Sequence, residues 1–336
     1  MSDFGSVLQP TVAAAPKGGA RKRRLGAGLI VRRLLQAVAV AVFVVVVTFL
    51  LVRLVPGDPV STISGPNASA QTRDAIRAEL HLESSLPSQF VSYAGDLIQG
   101  NLGNSILQRG KSVTSIIGSS LPVTLYVAVG ALIISAVLGM AIGIFAALVG
   151  GVFDFGSRVT VMVLLATPPF FLSLLLILFF ALDLKLLPAG GWGEGWPQNL
   201  EFLILPSLAL AAALLPLVAS VTRQAAKDVM RQPWAEAVTA RGLPVRVIIF
   251  RHILPNCAPQ VITLLGFNAG LLISGAVVVE AVFGLPGLGQ ELVSAVSGRN
   301  YPVIQGIALV TALIVVAINL AADLLALAVD PRIDPS

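Results

Sequence analysis

Few side chains in this sequence could carry chemistry, because only 12% of its 336 residues are charged. There is one cysteine, Cys257, and there are two histidines, His81 and His252, which lie far apart in the sequence. A single cysteine excludes an intrachain disulfide framework, and this pattern offers no cluster of metal ligands. The sequence therefore predicts no metal site.

One segment comes close to a phosphate-binding loop. Residues 103–112 read GNSILQRGKS, but such a loop needs a glycine five positions before the Gly-Lys-Ser, and Ser105 stands there. The glycine-rich residues 284–289 could be mistaken for a nucleotide-binding turn, yet no predicted strand precedes them. A His/Glu metal pair or a Ser/His set, which an intramembrane enzyme would need, is also absent from the predicted spans. We therefore predict that the chain is not an enzyme and holds no cofactor of its own.

The elements that position these residues are long apolar segments. The sequence is 56% hydrophobic, with a mean hydropathy of +0.90, and it carries far fewer charges than the roughly 25% of a soluble domain. A span needs about 20 apolar residues. The predicted spans are residues 33–53, 123–149, 159–182, 202–221, 261–279 and 303–325. We expect Pro168-Pro169 to bend the third span and Pro206 and Pro216 to interrupt the fourth. The predicted fold is an all-α membrane protein with six transmembrane helices.

The distribution of positive charge predicts the orientation. Six spans place both termini on one side, and with that side inside, 15 of the 22 lysines and arginines lie inside and 7 outside. The positive-inside rule then places both termini in the cytoplasm. The net charge of +5 thus reflects basic cytoplasmic segments rather than nucleic-acid binding. The predicted organisation is a basic disordered tail (1–28), a transmembrane domain (29–331) with an external segment (56–121) and a cytoplasmic loop (223–258), and a short C-terminal tail (332–336).

Two acidic residues fall inside the predicted spans, Glu280 and Asp323, and both lie near span ends. Ionisable residues in a membrane are costly and usually functional. For Glu280 a structural role and a gating role both stay open, and Asp323 either faces cytoplasmic water or pairs with a neighbouring helix. An ion-coupled carrier would place acidic residues or broken helices with polar pockets at mid-membrane. The sequence shows neither clearly. An ion-coupled secondary transporter is therefore kept only as an alternative class of function.

Glycine pairs four residues apart predict where helices approach closely. Gly139 and Gly143 lie in the second span, and Gly266 and Gly270 in the fifth. Small residues at this spacing let two helix backbones come together. We expect them to serve packing within the chain rather than a seam between two chains.

The polar residues 232–260, between two apolar segments, predict a short helix, a turn and a second helix. Pro233 suits a first helical turn, Glu236 complements the positive end of the helix dipole, and Gly242 can form the left-handed cap. The second helix is predicted at residues 245–253, ending at Leu254-Pro255. Small alanines give the first helix little apolar surface for a lipid bilayer. Close approach by another protein is the favoured interpretation.

This stretch resembles a known motif. Glu236-Ala237-Val238, then Gly242 after three residues and Leu254-Pro255 after a further eleven, resembles the EAA loop of ABC importer permeases. Val238 stands for the motif's second alanine, and His252 matches the residue common in the peptide and nickel branch. Four more segments are similar to that branch: residues 56–59 (PGDP), 100–105 (GNLGNS), 283–289 (FGLPGLG) and 300–303 (NYPV). The PGDP element resembles the first, or B-type, permease of a dipeptide or oligopeptide importer.

The resemblance implies a type I ABC importer permease fold with a cytoplasmic coupling helix, in a bacterial cytoplasmic membrane. It implies one half of a translocation path for peptides, with nickel and glutathione as alternative cargoes. The implied partners are a second permease subunit in a heterodimer, two cytoplasmic ATPases that carry ATP and Mg²⁺, and an extracytoplasmic substrate-binding protein. The residues implied in ATPase coupling are Trp234, Glu236, Ala237, Arg241, Gly242, His252 and Pro255. Candidates in the external loop and its gating are Glu280, Phe283, Pro286, Gly287 and Gly289.

Overall fold

The computed structural model describes residues 27–54, 69–71, 85–108, 110–232 and 244–329. In those ranges the chain is helical, and the only β-type pairing is an isolated bridge between Asn104 and Ser112. The helices are α1 (Ala27–Leu54), α2 (Leu86–Ile98), α3 (Val113–Val149), α4 (Gly151–Ala166), α5 (Pro169–Leu176, continuing as a π-helix over Ile177–Asp183), α6 (Asn199–Ala211), α7 (Leu215–Met230), α8 (Val245–Ile248, a π-helix over Ile249–Ile253, then Leu254–Phe283), α9 (Leu288–Ser297) and α10 (Tyr301–Val329). The all-α prediction is confirmed.

The membrane spans agree with the prediction in part. Within the described ranges, α1, α3, α8 and α10 are each long and apolar enough to cross a membrane. Two further pairs pass the same test only together, α4 with α5, bent by 109°, and α6 with α7, bent by 64°. Counting each pair as one span gives up to six. Six spans therefore stay a prediction, whereas a multi-span helical membrane protein is what the structure contains.

The breaks within the bent pairs follow proline chemistry only in part. α4 ends at Ala166 and α5 starts at Pro169, so the break predicted at Pro168-Pro169 is present. α7 begins at Leu215 with Pro216 in its first turn, where a missing N–H costs nothing. Pro206, however, lies inside α6 without ending it, so the predicted interruption there is wrong.

The turn before α4 is shorter than predicted. The predicted spans 123–149 and 159–182 leave residues 150–158 as the connection between them, but residues 151–158 belong to α4. The chain instead turns at Gly150 and Gly151, whose φ angles of 67° and 53° lie in the left-handed region. Glycine reaches that region at little cost because it has no Cβ. Two adjacent glycines therefore set this turn.

α8 also differs from the prediction. The helix predicted at residues 245–253 and the span predicted at 261–279 form one helical segment from Val245 to Phe283. Pro255 has no N–H to donate to a carbonyl one turn back. The π-helical turn Ile249–Ile253 directly precedes it and shifts the hydrogen-bond register there. The helix can therefore continue through the position where we expected it to stop.

α3 is the central helix, packing most extensively against α7 and also against α6 and α8. A side chain at Gly143 would collide with the backbone of Ala219 and with Thr222, and one at Gly139 would collide with Val218. On α8, a Cβ at Gly266 would lie 3.1 Å from Ala322 of α10, and one at Gly270 would lie 2.9 Å from Val315 of α10. Both glycine pairs therefore serve helix packing within the chain, as expected.

Buried apolar residues form a large cluster around the middle of α3 and a smaller one at each of its ends. The cluster at the start of α3 contains Val113, Ile117, Leu288 and Ile307. The cluster at its end contains Ile144, Ala226, Ile253 and Cys257. With 37 residues at ~1.5 Å each, α3 holds these two ends about 55 Å apart. Each end also carries one buried carboxylate.

Candidate functional site

Glu280, in the last turn of α8, is fully buried and anchors the loop that follows it. Its Oε2 accepts a hydrogen bond of 2.6 Å from the backbone N–H of Gly289 in the first turn of α9. The adjacent N–H, of Leu288, donates to Thr124 Oγ1 of α3 at 2.9 Å. The first N–H groups of a helix have no partner within it and favour an anion. Glu280 and Thr124 together satisfy two of them.

The glycines of this loop leave room for the carboxylate. Gly284 caps α8 in the left-handed conformation, with φ 61°, and donates its N–H to the carbonyl of Glu280. A Cβ at Gly287 would lie 2.4 Å from the carboxyl carbon of Glu280. A Cβ at Gly289 would meet the backbone of Val277, with 2.8 Å to its oxygen. Larger residues at Gly287 and Gly289 would therefore displace either the carboxylate or α8.

Phe283 and Pro286 complete the predicted external-loop set but differ in environment. Phe283 is buried, and its carbonyl accepts the N–H of Gly191 at 2.8 Å, which ties in the loop between α5 and α6. Pro286 is exposed. The structure thus brings Glu280, Phe283, Gly287 and Gly289 together, and leaves Pro286 on the surface. Residues 280–289 form what we call the Glu280 anchor.

Two other sequence motifs meet beside this anchor. The side-chain amide of Asn300, in residues 300–303, donates to Ser105 Oγ at 2.8 Å, and its Oδ1 accepts the N–H of Ile106 at 3.2 Å. Ser105 Oγ also accepts the N–H of Gln108. Residues 100–105 and 300–303 therefore form one structure. Ser105, the residue that replaces the P-loop glycine, is part of this contact.

The opposite end of α3 carries a second carboxylate that the sequence did not single out. Asp154 of α4 is only 7% exposed and binds two cations of α7. The Arg223 guanidinium donates to both carboxylate oxygens, with Nη2 2.7 Å from Oδ2, and Lys227 Nζ lies 3.1 Å from Oδ2. Arg158 of α4 is looser, with a nitrogen 3.8 Å away. The partners lie 69 and 73 residues along the chain, so no local pattern announces them.

Of the seven predicted coupling residues, two lie within the described ranges and five lie outside them. Trp234, Glu236, Ala237, Arg241 and Gly242 lie outside the described residues. His252 is half-buried in the π-helical turn of α8, and its carbonyl accepts the side-chain amide of Asn256 at 2.6 Å. Pro255 is exposed in the next turn. These two residues share one helical segment, and their relation to the other five stays a prediction.

A polar cleft lies between the two helices that flank residues 233–243. It has a volume of 460 Å³ and is lined by residues of α7 and α8, among them Asp228, Asn256 and Gln260, and by Gln232 just after α7. Asp323 falls in α10. Within the described ranges, no three His, Cys, Asp or Glu side chains lie close enough to hold a metal ion.

Comparison with known proteins identifies the family. The family described as "Binding-protein-dependent transport system inner membrane component" matches residues 139–335, and its N-terminal companion, "Binding-prot-dependent transport system membrane comp, N-term", matches residues 27–128. The probable peptide ABC transporter permease protein y4tP of Sinorhizobium fredii is 34% identical over 90% of this chain and 98% of its own length. The glutathione transport system permease protein GsiC is 36% identical in Salmonella choleraesuis and 35% in Escherichia coli K12, over 90% of this chain and 98% of theirs.

These matches run from α1 to the C-terminal residues, so they cover both ends of α3 and every motif quoted from the sequence. A permease of this family is a multi-pass inner-membrane protein that depends on a binding protein and on ATPase subunits. The ion-coupled carrier kept as an alternative class is thereby set aside. The chain belongs to the inner-membrane permease family of binding-protein-dependent ABC importers.

Proposed function

We propose that this permease forms half of a translocation path for short peptides. The observation that carries the proposal is the match over 98% of relatives whose names specify peptide and glutathione transport. Glutathione is itself a tripeptide, so both names share one cargo chemistry. Nickel and glutathione are the alternative cargoes. The external binding protein, rather than this chain, would select among them.

The proposed assembly contains four kinds of subunit: this B-type permease, a second permease, two ATPases and an external binding protein. This chain contributes no ATPase site. Residues 103–112 depart from a P-loop at Ser105, whose hydroxyl is bound to Asn300 and Gln108. ATP and Mg²⁺ would accordingly be held by the ATPase subunits alone.

In the proposed topology both termini and residues 223–258 are cytoplasmic, as the distribution of lysine and arginine favours. The ATPases would dock on residues 234–242, between α7 and α8. Trp234, Glu236, Ala237, Arg241 and Gly242 would form the contact, and His252 and Pro255 would support it from α8. Closure of one element against another is a common way for such machines to switch.

The Glu280 anchor would then lie on the external side, at the mouth of the path. Support comes from its position along α3, because Leu288 of the anchor bonds to Thr124 of α3, whereas Arg223 of α7 packs on Gly143, about 29 Å further along that helix. We propose that Glu280 holds α9 at a fixed angle to α8, so that α9 moves with α8 when the path opens. This assigns Glu280 both of the roles that the sequence left open.

Transport by purified, reconstituted complex tests the cargo and the class together. Vesicles that hold this permease, the second permease and the ATPases are given the binding protein and a labelled di- or tripeptide. Uptake is expected to require ATP and the binding protein and to persist with an uncoupler. Strict dependence on an ion gradient would overturn the importer mechanism, and uptake of nickel in place of peptides would overturn the cargo.

Two variants test the coupling assignment. Gly242→Pro and Glu236→Lys are each expected to abolish uptake while the protein still reaches the membrane. Glu201→Gln is the control, because Glu201 is exposed in the first turn of α6, outside the coupling loop. Unaltered uptake in both coupling variants would contradict the assignment.

A further inference from the structure

The side chains at the end of α3 suggest how movement of α7 reaches the rest of the membrane domain. Asp154, Arg223 and Lys227 form what we call the Asp154 clamp. The carboxylate belongs to α4, and both cations belong to α7. α7 is the helix that precedes the proposed coupling residues, and α4 is the first half of the pair bent by 109°. The clamp is therefore a direct polar link between α4 and α7.

The geometry of the clamp restrains both the rotation of α7 about its axis and its sliding along that axis. Arg223 and Lys227 stand four residues apart, so they lie on one face of α7, one turn from each other. Both reach the same carboxylate, Arg223 through two nitrogens. Turning α7 by one residue, or sliding it by one turn, would move at least one cation out of reach. Apolar packing alone would oppose such shifts less specifically.

α3 holds the same point of α7 from another side. A Cβ at Gly143 would lie 2.6 Å from the carbonyl oxygen of Ala219 and 2.9 Å from the backbone nitrogen of Arg223. The backbone that carries Arg223 therefore packs directly on α3, and its side chain is bound to α4. Displacement of α7 has to take α4 with it or break the clamp.

Charge burial indicates that the clamp does more than fill space. Removing charges from water costs free energy that close pairing only partly returns, and apolar residues of similar volume often serve stability equally well. The cations are 21% and 27% exposed, and the carboxylate is less accessible than either. An anion held by two cations favours one relative placement of α4 and α7, because it binds both cations strongly only in that placement.

We propose that Asp154 is a positioning residue that locks α4 to α7, so that movement imposed on residues 234–242 is passed to the bent α4–α5 pair. This inference rests on the proposed coupling role of those residues. It goes beyond that role because it names the element that receives the movement. It also names the side chain through which the movement passes.

The test compares uptake with ATP hydrolysis in the reconstituted complex. For Asp154→Asn, we expect uptake per ATP hydrolysed to fall about tenfold, the rate effect of losing one well-made polar contact. ATP hydrolysis without binding protein is expected to stay near the unaltered rate, because the ATPase subunits are intact. Arg158→Gln is the matched control and should keep the normal ratio, because Arg158 is exposed, lies 3.8 Å from Asp154 and belongs to α4 itself.

A double variant separates positioning from charge neutralisation. Asp154→Asn alone leaves Arg223 without its carboxylate and could reduce the amount of assembled complex. Asp154→Asn with Arg223→Gln removes that unpaired charge and is expected to restore assembly, while the ratio of uptake to hydrolysis stays low. A normal ratio in either variant would overturn the inference.

The unaltered complex distinguishes this inference from the proposed function. ATP-driven uptake by the unaltered complex, together with a normal ratio in Asp154→Asn, would contradict the clamp alone. Failure of the unaltered complex to couple ATP hydrolysis to any uptake would contradict the proposed function, and with it the clamp's role.

Discussion

The two ends of α3 each bury one carboxylate, and the two carboxylates are held by different chemistry. Glu280 is fully buried and accepts from a neutral backbone N–H at the start of α9. Asp154 lies closer to solvent and is bound by two charged side chains of α7. Backbone N–H groups are fixed by the loop that carries them. Long cationic side chains are fixed only while the two helices keep their relative placement.

This contrast assigns different tasks to the two ends. Nine residues separate Glu280 from Gly289, so the Glu280 anchor closes a short local loop. Sixty-nine residues separate Asp154 from Arg223, so the Asp154 clamp joins distant elements. A local closure makes one rigid unit of α8 and α9. A distant ion pair makes a joint between separate helices, which suits the end that faces the proposed ATPase contact.

The largest effect is expected from a substitution in the Glu280 anchor. In Gly289→Ala the new Cβ would overlap the backbone of Val277 in α8, which has no flexible side-chain end to give way. Overpacking of this kind costs about 3 kcal/mol. We expect the Tm of the purified complex to fall by about 4 °C. Gly156→Ala in α4 is the control, since nothing lies within 4 Å of its added Cβ. Equal Tm values for both variants would refute the tight fit of the Glu280 anchor.

The sequence revealed the two ends to different degrees, for a physical reason. The Glu280 anchor is local, so its candidate residues are visible as a sequence pattern. Four of those five residues, all except Pro286, meet in the structure. The Asp154 clamp depends on how α4 packs against α7, which periodicity does not encode. The all-helical class was predictable from composition. The turn at Gly150 and the continuity of α8 were not, because glycine φ angles and a π-helical turn decided them.

The second prediction concerns the Asp154 clamp. Arg223→Gln would leave the Asp154 carboxylate with Lys227 as its remaining close cation. Part of the loss is screened, because the Arg223 side chain is partly exposed. We expect a Tm decrease of about 2 °C, smaller than that of Gly289→Ala. The Asp154→Asn, Arg223→Gln double variant should be more stable than Arg223→Gln alone, as coupled residues are not additive. Simple addition of the two decreases would show that the side chains are independent.

A smaller effect is expected from loss of the neutral hydrogen bond between the N–H of Leu288 and Thr124 beside the Glu280 anchor. Thr124→Val keeps the shape of the side chain but leaves the N–H of Leu288 buried without an acceptor. Such a loss costs about 1 kcal/mol, or about 1.5 °C in Tm. Thr114→Val, in the same helix, is the matched control, because Thr114 is exposed and its hydroxyl can be replaced by water. If the two valine variants lost equal stability, capping of α9 by Thr124 would contribute nothing.

The smallest effect should come from Arg158, and it sharpens the account of the clamp. Its guanidinium is 54% exposed and lies 3.8 Å from Asp154, so solvent screens the pair. Arg158→Gln is expected to change the Tm by less than about 1 °C. Arg158 carries the same charge as Arg223 but sits on α4 itself, so it cannot restrain α7. If its removal lowered the Tm as much as Arg223→Gln does, Asp154 would be held by the general positive charge around it. A negligible change would locate the restraint in the two contacts from α7, which are the ones that a moving helix can carry.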